Sequence, residues 1–297
     1  MTPFFIALQF LTRIKLVNQT DWSVEDFGKS VAAFPYVGLI IGLSLALLYG
    51  ILSLFIPRMP LMLIIVVAEF LVTGGLHADG LMDTSDGLFS GREREQKLEI
   101  MKDSHVGSFG VVAFIFVTLL KWQLLAAIPS AEFIPMALIM MPLMSRWTMV
   151  FSIRAYPYAR KEGMGAAFAN FAPKHVMLYN TISTFCMPLI LLFIGSILYT
   201  VLYGIYAVIS VPDVEYIAGL GILVYATLGI FQINVVSMII AYVINIALNG
   251  YIVKQLGGTT GDTYGFVTEV TEVLLLFVYI IILSILSATV ASNPAVF

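Results

Sequence analysis

The run FGVVAFIFVTLLKWQLLAAI, Phe109–Ile128, carries a single charge, Lys121. A helix crosses the hydrocarbon of a bilayer in about 20 apolar residues, and lipid offers no partner to an unpaired backbone. The run therefore predicts one transmembrane α-helix. Comparable runs flank it: Val31–Ile56, Leu61–Leu76, Phe133–Ile153, Val176–Ser210, Ile217–Leu248 and Val267–Ala291. Together they predict an all-α fold, a polytopic transmembrane helical bundle of about seven spans, within a range of six to eight. Val176–Ser210 and Ile217–Leu248 are longer than one crossing needs. Gln232 and Asn234 interrupt the second near its middle, so these runs are expected to be tilted, broken or re-entrant. Met1–Val17 is too short to span. Its charges Arg13 and Lys15 follow its apolar stretch, the reverse of a signal peptide, and it is expected to lie at the interface or to pack on the bundle.

Composition supports this. The 297 residues are 60% hydrophobic and 11% charged, with a mean hydropathy of +0.98. Soluble domains are about half apolar and about a quarter charged, so a soluble enzyme and a disordered chain are excluded. The net charge is -3, so no basic field exists to hold a nucleic acid. Cys186 is the sole cysteine, which rules out an internal disulfide, and no Cys/His cluster suggests zinc. No repeat or linker divides the chain, which reads as one integral membrane domain over residues 1–297.

The charges are unevenly placed. Asp79–Asp103 holds 11 of the 33 charged residues. Charged segments are expected near 79–108, 154–175 and 254–266. The opposite connections, Pro57–Pro60, Pro129–Glu132 and Val211–Tyr216, contain one Lys or Arg, Arg58. The positive-inside rule then puts the amino terminus and all three charged segments in the cytoplasm, and seven crossings put the carboxyl terminus outside.

The chemistry is concentrated in Gly74-Gly75-Leu76-His77-Ala78-Asp79-Gly80-Leu81-Met82-Asp83-Thr84-Ser85-Asp86-Gly87. On a helix Asp79, Asp83 and Asp86 stand at i, i+4 and i+7 and share one face. Stacked carboxylates repel unless a cation lies between them, and hard oxygen donors suit Mg²⁺, with Mn²⁺ as the alternative. A second acidic set, Asp262, Glu269 and Glu272, follows Gly257-Gly258-Thr259-Thr260-Gly261 at i, i+7 and i+10. The plainer reading is that acids at helix starts serve as caps or dipole partners. Arg92–Lys102 reads as a solvated amphipathic helix with ion pairs along it. Lys121 and Arg146 within apolar runs read as snorkelling, and Glu69 as the partner of one of them. His77 is a candidate for packing or for chemistry.

Carboxylate-held Mg²⁺ beside glycine-rich backbone suits a diphosphate, with transfer of a phosphate-linked alcohol to an acceptor hydroxyl and departure of a nucleotide. The CDP-alcohol phosphotransferases work this way through D-G-x2-A-R-x8-G-x3-D-x3-D. Here Asp79-Gly80 is followed by Leu81-Met82-Asp83-Thr84, without Ala-Arg.

The chain does resemble the cobalamin synthase, or adenosylcobinamide-GDP ribazoletransferase, family. The likeness runs through Phe10–Arg13, Phe34–Gly38, the long Gly74–Gly110 block, Ser145-Arg146, Tyr158–Gly165 and Gly257–Glu272. It implies a Mg²⁺-dependent transferase in the cell membrane of a prokaryote, joining adenosylcobinamide-GDP to α-ribazole or its 5′-phosphate with release of GMP. By that likeness Asp79, Asp83 and Asp86 are expected to be catalytic, and His77, two residues before Asp79, is expected to join them. Asp79, Asp83, Asp86, Asp262, Glu269 and Glu272 are expected to bind metal, and Arg13, Lys102, Arg146 and Arg160 to bind phosphate. The two substrates and the lipid bilayer are the expected partners. A homo-oligomer, or association with other corrinoid-pathway enzymes, stays open. Tyr199–Phe231 reads as an insertion. The rival readings are another nucleotide-alcohol phosphotransferase, or an ion-coupled transporter, which would bring midplane charges and inverted repeats.

Overall fold

The computed structural model describes residues 3–17, 22–160, 162–210 and 215–292, and it is helical almost throughout. In chain order the α-helices are α1 (Pro3–Leu11), α2 (Val24–Lys29), α3 (Phe34–Leu52), α4 (Arg58–Thr73), α5 (Leu76–Phe89), α6 (Arg94–Ile100) and α7 (Ser108–Ala127). They continue with α8 (Ile134–Ala155), α9 (Met164–Phe171), α10 (Val176–Ser210), α11 (Glu215–Leu256) and α12 (Gly261–Ser292). Six helices are long and apolar enough to cross a membrane, and a bent pair makes a seventh crossing if it counts as one span. The expected bundle of about seven spans is therefore the architecture seen. The predicted insertion at Tyr199–Phe231 falls on the end of α10 and the first part of α11, with residues 211–214 outside the described residues.

α8 is the axis. Every residue from Met140 to Val150 is buried, the pattern of a helix enclosed on all sides. α3 reaches it through a G-x-x-x-G pair. A β-carbon on Gly42 would stand 2.6 Å from Ile139 Cα, and one on Gly38 would strike Pro142. Only glycine lets the two backbones approach so closely, which is how helices gain packing where lipid supplies no hydrophobic drive. α11 is joined by amides instead. The Asn245 side chain donates to Thr148 O at 2.7 Å and to Ser152 Oγ at 3.0 Å, and Asn249 donates to Ser152 Oγ at 2.9 Å. Asn234, expected to mark a break, donates to Phe185 O at 2.9 Å within an uninterrupted α11. The polar residue is a helix-to-helix tie and the expected break is absent.

The predicted span Leu61–Leu76 has a different shape. Gly74 (φ 64°) and Gly75 (φ 74°) both take the left-handed conformation, which stops α4 and sends the chain into α5 at 91°. α4 has 16 residues, about 24 Å at 1.5 Å per residue, short of a hydrocarbon core of about 30 Å. The charged segment near 79–108 is accordingly no free loop, because α5 carries its acidic half against α12 and α7.

α1 settles the choice left by the sequence. Ile6, Ala7, Leu8 and Leu11 are buried, and Phe10 meets Phe27, Phe34 and Phe168 in an aromatic cluster. The amino terminus packs on the bundle, and the Arg13 N–H donates to Val72 O at 2.7 Å. The segment Arg92–Lys102 departs from expectation. Among the described residues no ion pair joins two of its members. Arg94 Nε donates to Leu256 O at 2.8 Å and Lys97 donates to Gln255. The carboxyl end of α11 presents unsatisfied carbonyls and negative dipole, and it draws those cations.

Candidate functional site

Three stretches converge where α8 ends and α5 and α12 begin. Thr259 N–H donates to Pro157 O at 2.8 Å and Ala159 N–H to Thr259 O at 2.8 Å, so the segment after α8 lies parallel to the one before α12. Thr260 and Thr263 cap α12 reciprocally: Thr260 N–H donates to Thr263 Oγ1 at 2.8 Å and Thr263 N–H to Thr260 Oγ1 at 3.2 Å. Because the threonines supply the cap, Asp262 is left to face Arg160, with which it forms an ion pair of 2.9 Å.

α5 meets α12 at glycines. A β-carbon on Gly80 would lie 2.6 Å from Asp262 O, and one on Gly265 would lie 2.8 Å from His77 O. This crossing brings the two acidic motifs together. Among the described residues, the charged neighbours acting on Asp83 are Asp79, Asp262 and Asp86, opposed by Arg160. Burial beside this group pushes the Tyr158 phenol above its ordinary range, partly opposed by Arg160.

Asp86 is committed elsewhere. Its carboxylate accepts Gly107 N–H at 2.8 Å and Gly110 N–H at 2.9 Å, the first turn of α7. A side chain on Gly107 or Gly110 would collide with that carboxylate, so the glycines and the aspartate are one device. The cap reading describes what Asp86 does here.

A cavity of about 710 Å³ opens beside Asp79, lined also by Gln9, Thr12, Arg13, Gly74 and Met82. Arg13 lies across Gly74, which has no side chain to block it. A smaller cavity of about 130 Å³ holds Asp79 with Asp262, Gly80 and Gly265. Asp79 thus borders both spaces.

Glu269, Glu272 and Arg146 belong to an interior network apart from this acidic face. Lys121 Nζ contacts Glu69 at 3.2 Å, Glu269 at 2.7 Å and Glu272, while Arg146 contacts Glu272. Ser145 Oγ donates to Glu272 Oε1 at 2.8 Å. This network ties α4, α7, α8 and α12 together inside the bundle. Glu69 is indeed the partner of Lys121, whose ammonium is buried instead of snorkelling. Glu269 and Glu272 are neutralised by side-chain cations here, and Arg146 is spent on Glu272. His77 lies about 200° around α5 from Asp79. Its charged neighbours are Arg146, Glu272 and Lys121, and its Nε2 has no partner among the described residues. His77 also lines the 130 Å³ cavity with Asp79 and Asp262, so it stands between the network and the acidic face. Lys102 is exposed beyond α6 and lines none of these cavities. Sequence spacing alone did not reveal the Asp86 cap, whose signal was the Gly107 and Gly110 pair.

Residues 3–280 match the family model described as cobalamin-5-phosphate synthase. The chain belongs to that family. It is 35% identical to the adenosylcobinamide-GDP ribazoletransferase of Fusobacterium nucleatum, across 95% of this chain and 98% of that one. It is 34% identical to the enzyme of the same name from Desulfitobacterium hafniense, across 93% and 95%. No solved structure matches the chain.

Among the described residues no three His, Cys, Asp or Glu side chains are gathered closely enough to hold a metal ion on their own. Mg²⁺ does not require that, since it commonly takes one or two carboxylates and completes its shell with water and substrate phosphate. The hard oxygens of Asp79 and Asp83, with Asp262 near, fit such a site in chemistry.

Proposed function

We propose that the chain is a membrane-bound transferase joining adenosylcobinamide-GDP to α-ribazole or α-ribazole 5′-phosphate, with GMP as leaving group. The observation that carries this is Asp79 standing between two spaces. One is the large cavity, where Arg13 supplies a guanidinium for phosphate. The other is the small cavity, which Asp262, the ion-pair partner of Arg160, also lines. A diphosphate laid along the glycine-lined wall near Gly74 would meet Arg13 on one side and the aspartates on the other.

The ribazole hydroxyl forms a bond to the phosphorus that carries the cobinamide arm. The bond from that same phosphorus to the bridging oxygen breaks, and GMP departs with the bridging oxygen and the electron pair. The hydroxyl proton passes to a carboxylate, with Asp79 and Asp83 the candidates on the open face. Arg160 limits the repulsion among Asp79, Asp83 and Asp262 and holds Asp262 in place. Asp79 and Asp83 would hold Mg²⁺, which when bound neutralises charge on the diphosphate. Asp86 keeps the α5–α7 angle. Glu269, Glu272, Arg146 and His77 act through the interior network that fixes α12 against α5.

The charge distribution supports a site on the cytoplasmic side of a prokaryotic cell membrane, because the connections at the opposite end contain only Arg58 among Lys and Arg residues. The test is turnover in detergent or liposomes, with adenosylcobinamide-GDP, α-ribazole 5′-phosphate and Mg²⁺. GMP and corrinoid product should form together, and both should vanish with EDTA or with Asp83→Asn. A folded wild-type chain that releases no GMP refutes the assignment.

A further inference from the structure

A third cavity, about 280 Å³, lies between α4 and α7. Its walls are Val66, Val67 and Val117 together with Phe70 and Phe114, whose ring centroids are 5.9 Å apart and tilted. Phe70, Thr73, Ala78 and Phe114 also line the 710 Å³ cavity, so the two spaces adjoin, and Ala78 immediately precedes Asp79. The inner end is polar: Glu69, Lys121 and Glu269 border it, and Glu69 Oε1 has no hydrogen-bond partner among the described residues.

We infer that this slot binds the aromatic base of the acceptor nucleoside, an inference that rests on the proposed ribazole transfer. Small-molecule sites run from about 300 to 1,000 Å³, so the slot alone falls just below that range, as suits part of a ligand, and the neighbouring cavity lies well within it. A corrinoid or a guanosine diphosphate does not fit the slot, and a flat two-ring heterocycle does. Apolar walls with two tilted rings suit the faces of such a base. The charged inner end favours a ligand with a polar edge over a lipid acyl chain, which would leave Glu69, Lys121 and Glu269 facing hydrocarbon. With the base in the slot the sugar falls in the neck at Ala78, and its hydroxyl is presented at Asp79.

Val117 and Val67 line the slot and not the larger cavity, so they separate the two substrates. In nanodiscs, Val117→Phe should raise KM for α-ribazole 5′-phosphate about tenfold, the scale of a mismatch in an apolar pocket. KM for adenosylcobinamide-GDP should stay within about twofold. Val67→Ala should shift preference the opposite way, toward an acceptor with a three-ring base over the two-ring one. Opposite shifts from filling and emptying the slot are not the result of general loosening. Equal movement of both KM values, or unchanged acceptor preference in both variants, overturns the slot while wild-type turnover keeps the transferase reading. A wild-type chain that turns over no donor overturns both. Competition by added phospholipid against the acceptor, without an acceptor KM change in Val117→Phe, would assign the slot to lipid instead.

Discussion

Replacing Lys121 with methionine should be among the most damaging single changes in the bundle. Its side chain is 4% exposed and its ammonium touches Glu69, Glu269 and Glu272, which leaves Arg146 as the other cation of the network. Three carboxylates against two cations already leave one negative charge uncompensated when all are ionised. Methionine fills the volume but raises that excess to two. Breaking a buried ion pair by removing one partner costs about 3–5 kcal/mol, because the survivor stays buried and uncompensated. Lys121→Met should therefore lose about 3–5 kcal/mol in reversible unfolding in mixed micelles. Glu69→Gln works in the opposite sense, removing the excess charge and keeping the shape. It should fall within about 1 kcal/mol of wild type, and the double variant should recover part of the Lys121→Met loss, with a coupling of about 0.5–3 kcal/mol. A Lys121→Met chain as stable as wild type, or a double variant whose losses simply add, would refute the charge accounting.

Three further outcomes follow from the same geometry. Gly42→Leu should cost about 1–3 kcal/mol through overpacking against Ile139 of α8, read as a lower unfolding midpoint; an unchanged midpoint would show that α3 can move away. Asp86→Asn replaces one carboxylate acceptor with a donor facing the start of α7 and should cost about 1–2 kcal/mol of stability. Turnover by the folded fraction should survive, and complete loss of turnover in stable protein would instead place Asp86 in the chemistry. Arg160→Ala removes the cation beside Asp262 and should lower kcat more than it lowers stability, whereas unchanged kcat would make the pair ornamental.

The helical bundle was readable because lipid imposes a long, coarse pattern: an apolar run either reaches across the hydrocarbon or does not. What failed to show was geometry set by single residues within those runs. Gly74 and Gly75 sit at the end of an acceptable apolar stretch, and only their positive φ converts a span into a sharp bend. Asn234 looked like a break since polarity alone was visible, while its partner Phe185 O lies 49 residues away in sequence. The acidic spacing correctly put Asp79 and Asp83 on a shared α5 face. It could not separate Asp86, because i+7 periodicity says nothing about amide donors at Gly107 and Gly110. The same limit applies to Glu269 and Glu272, whose cations come from α7 and α8.

The separation of the acids into two populations explains how one bundle can keep so many. Asp79, Asp83 and Asp262 are brought near one another by glycine at the α5–α12 crossing, Arg160 pairs with Asp262, and Asp79 and Asp262 line a cavity. Glu69, Glu269 and Glu272 lie deeper and are held by Lys121 and Arg146, so their charge is largely consumed by structure. α12 belongs to both groups, with Asp262 at its first turn and Glu272 ten residues on. A rigid α12 thus transmits the interior network's hold to the open acidic face. The carboxylates of that face repel one another and would drift apart on a mobile element. Their close placement without a preformed ligand trio is sustained by the paired charges buried beneath them, and loosening those pairs should spread Asp79 and Asp262 before it unfolds the bundle.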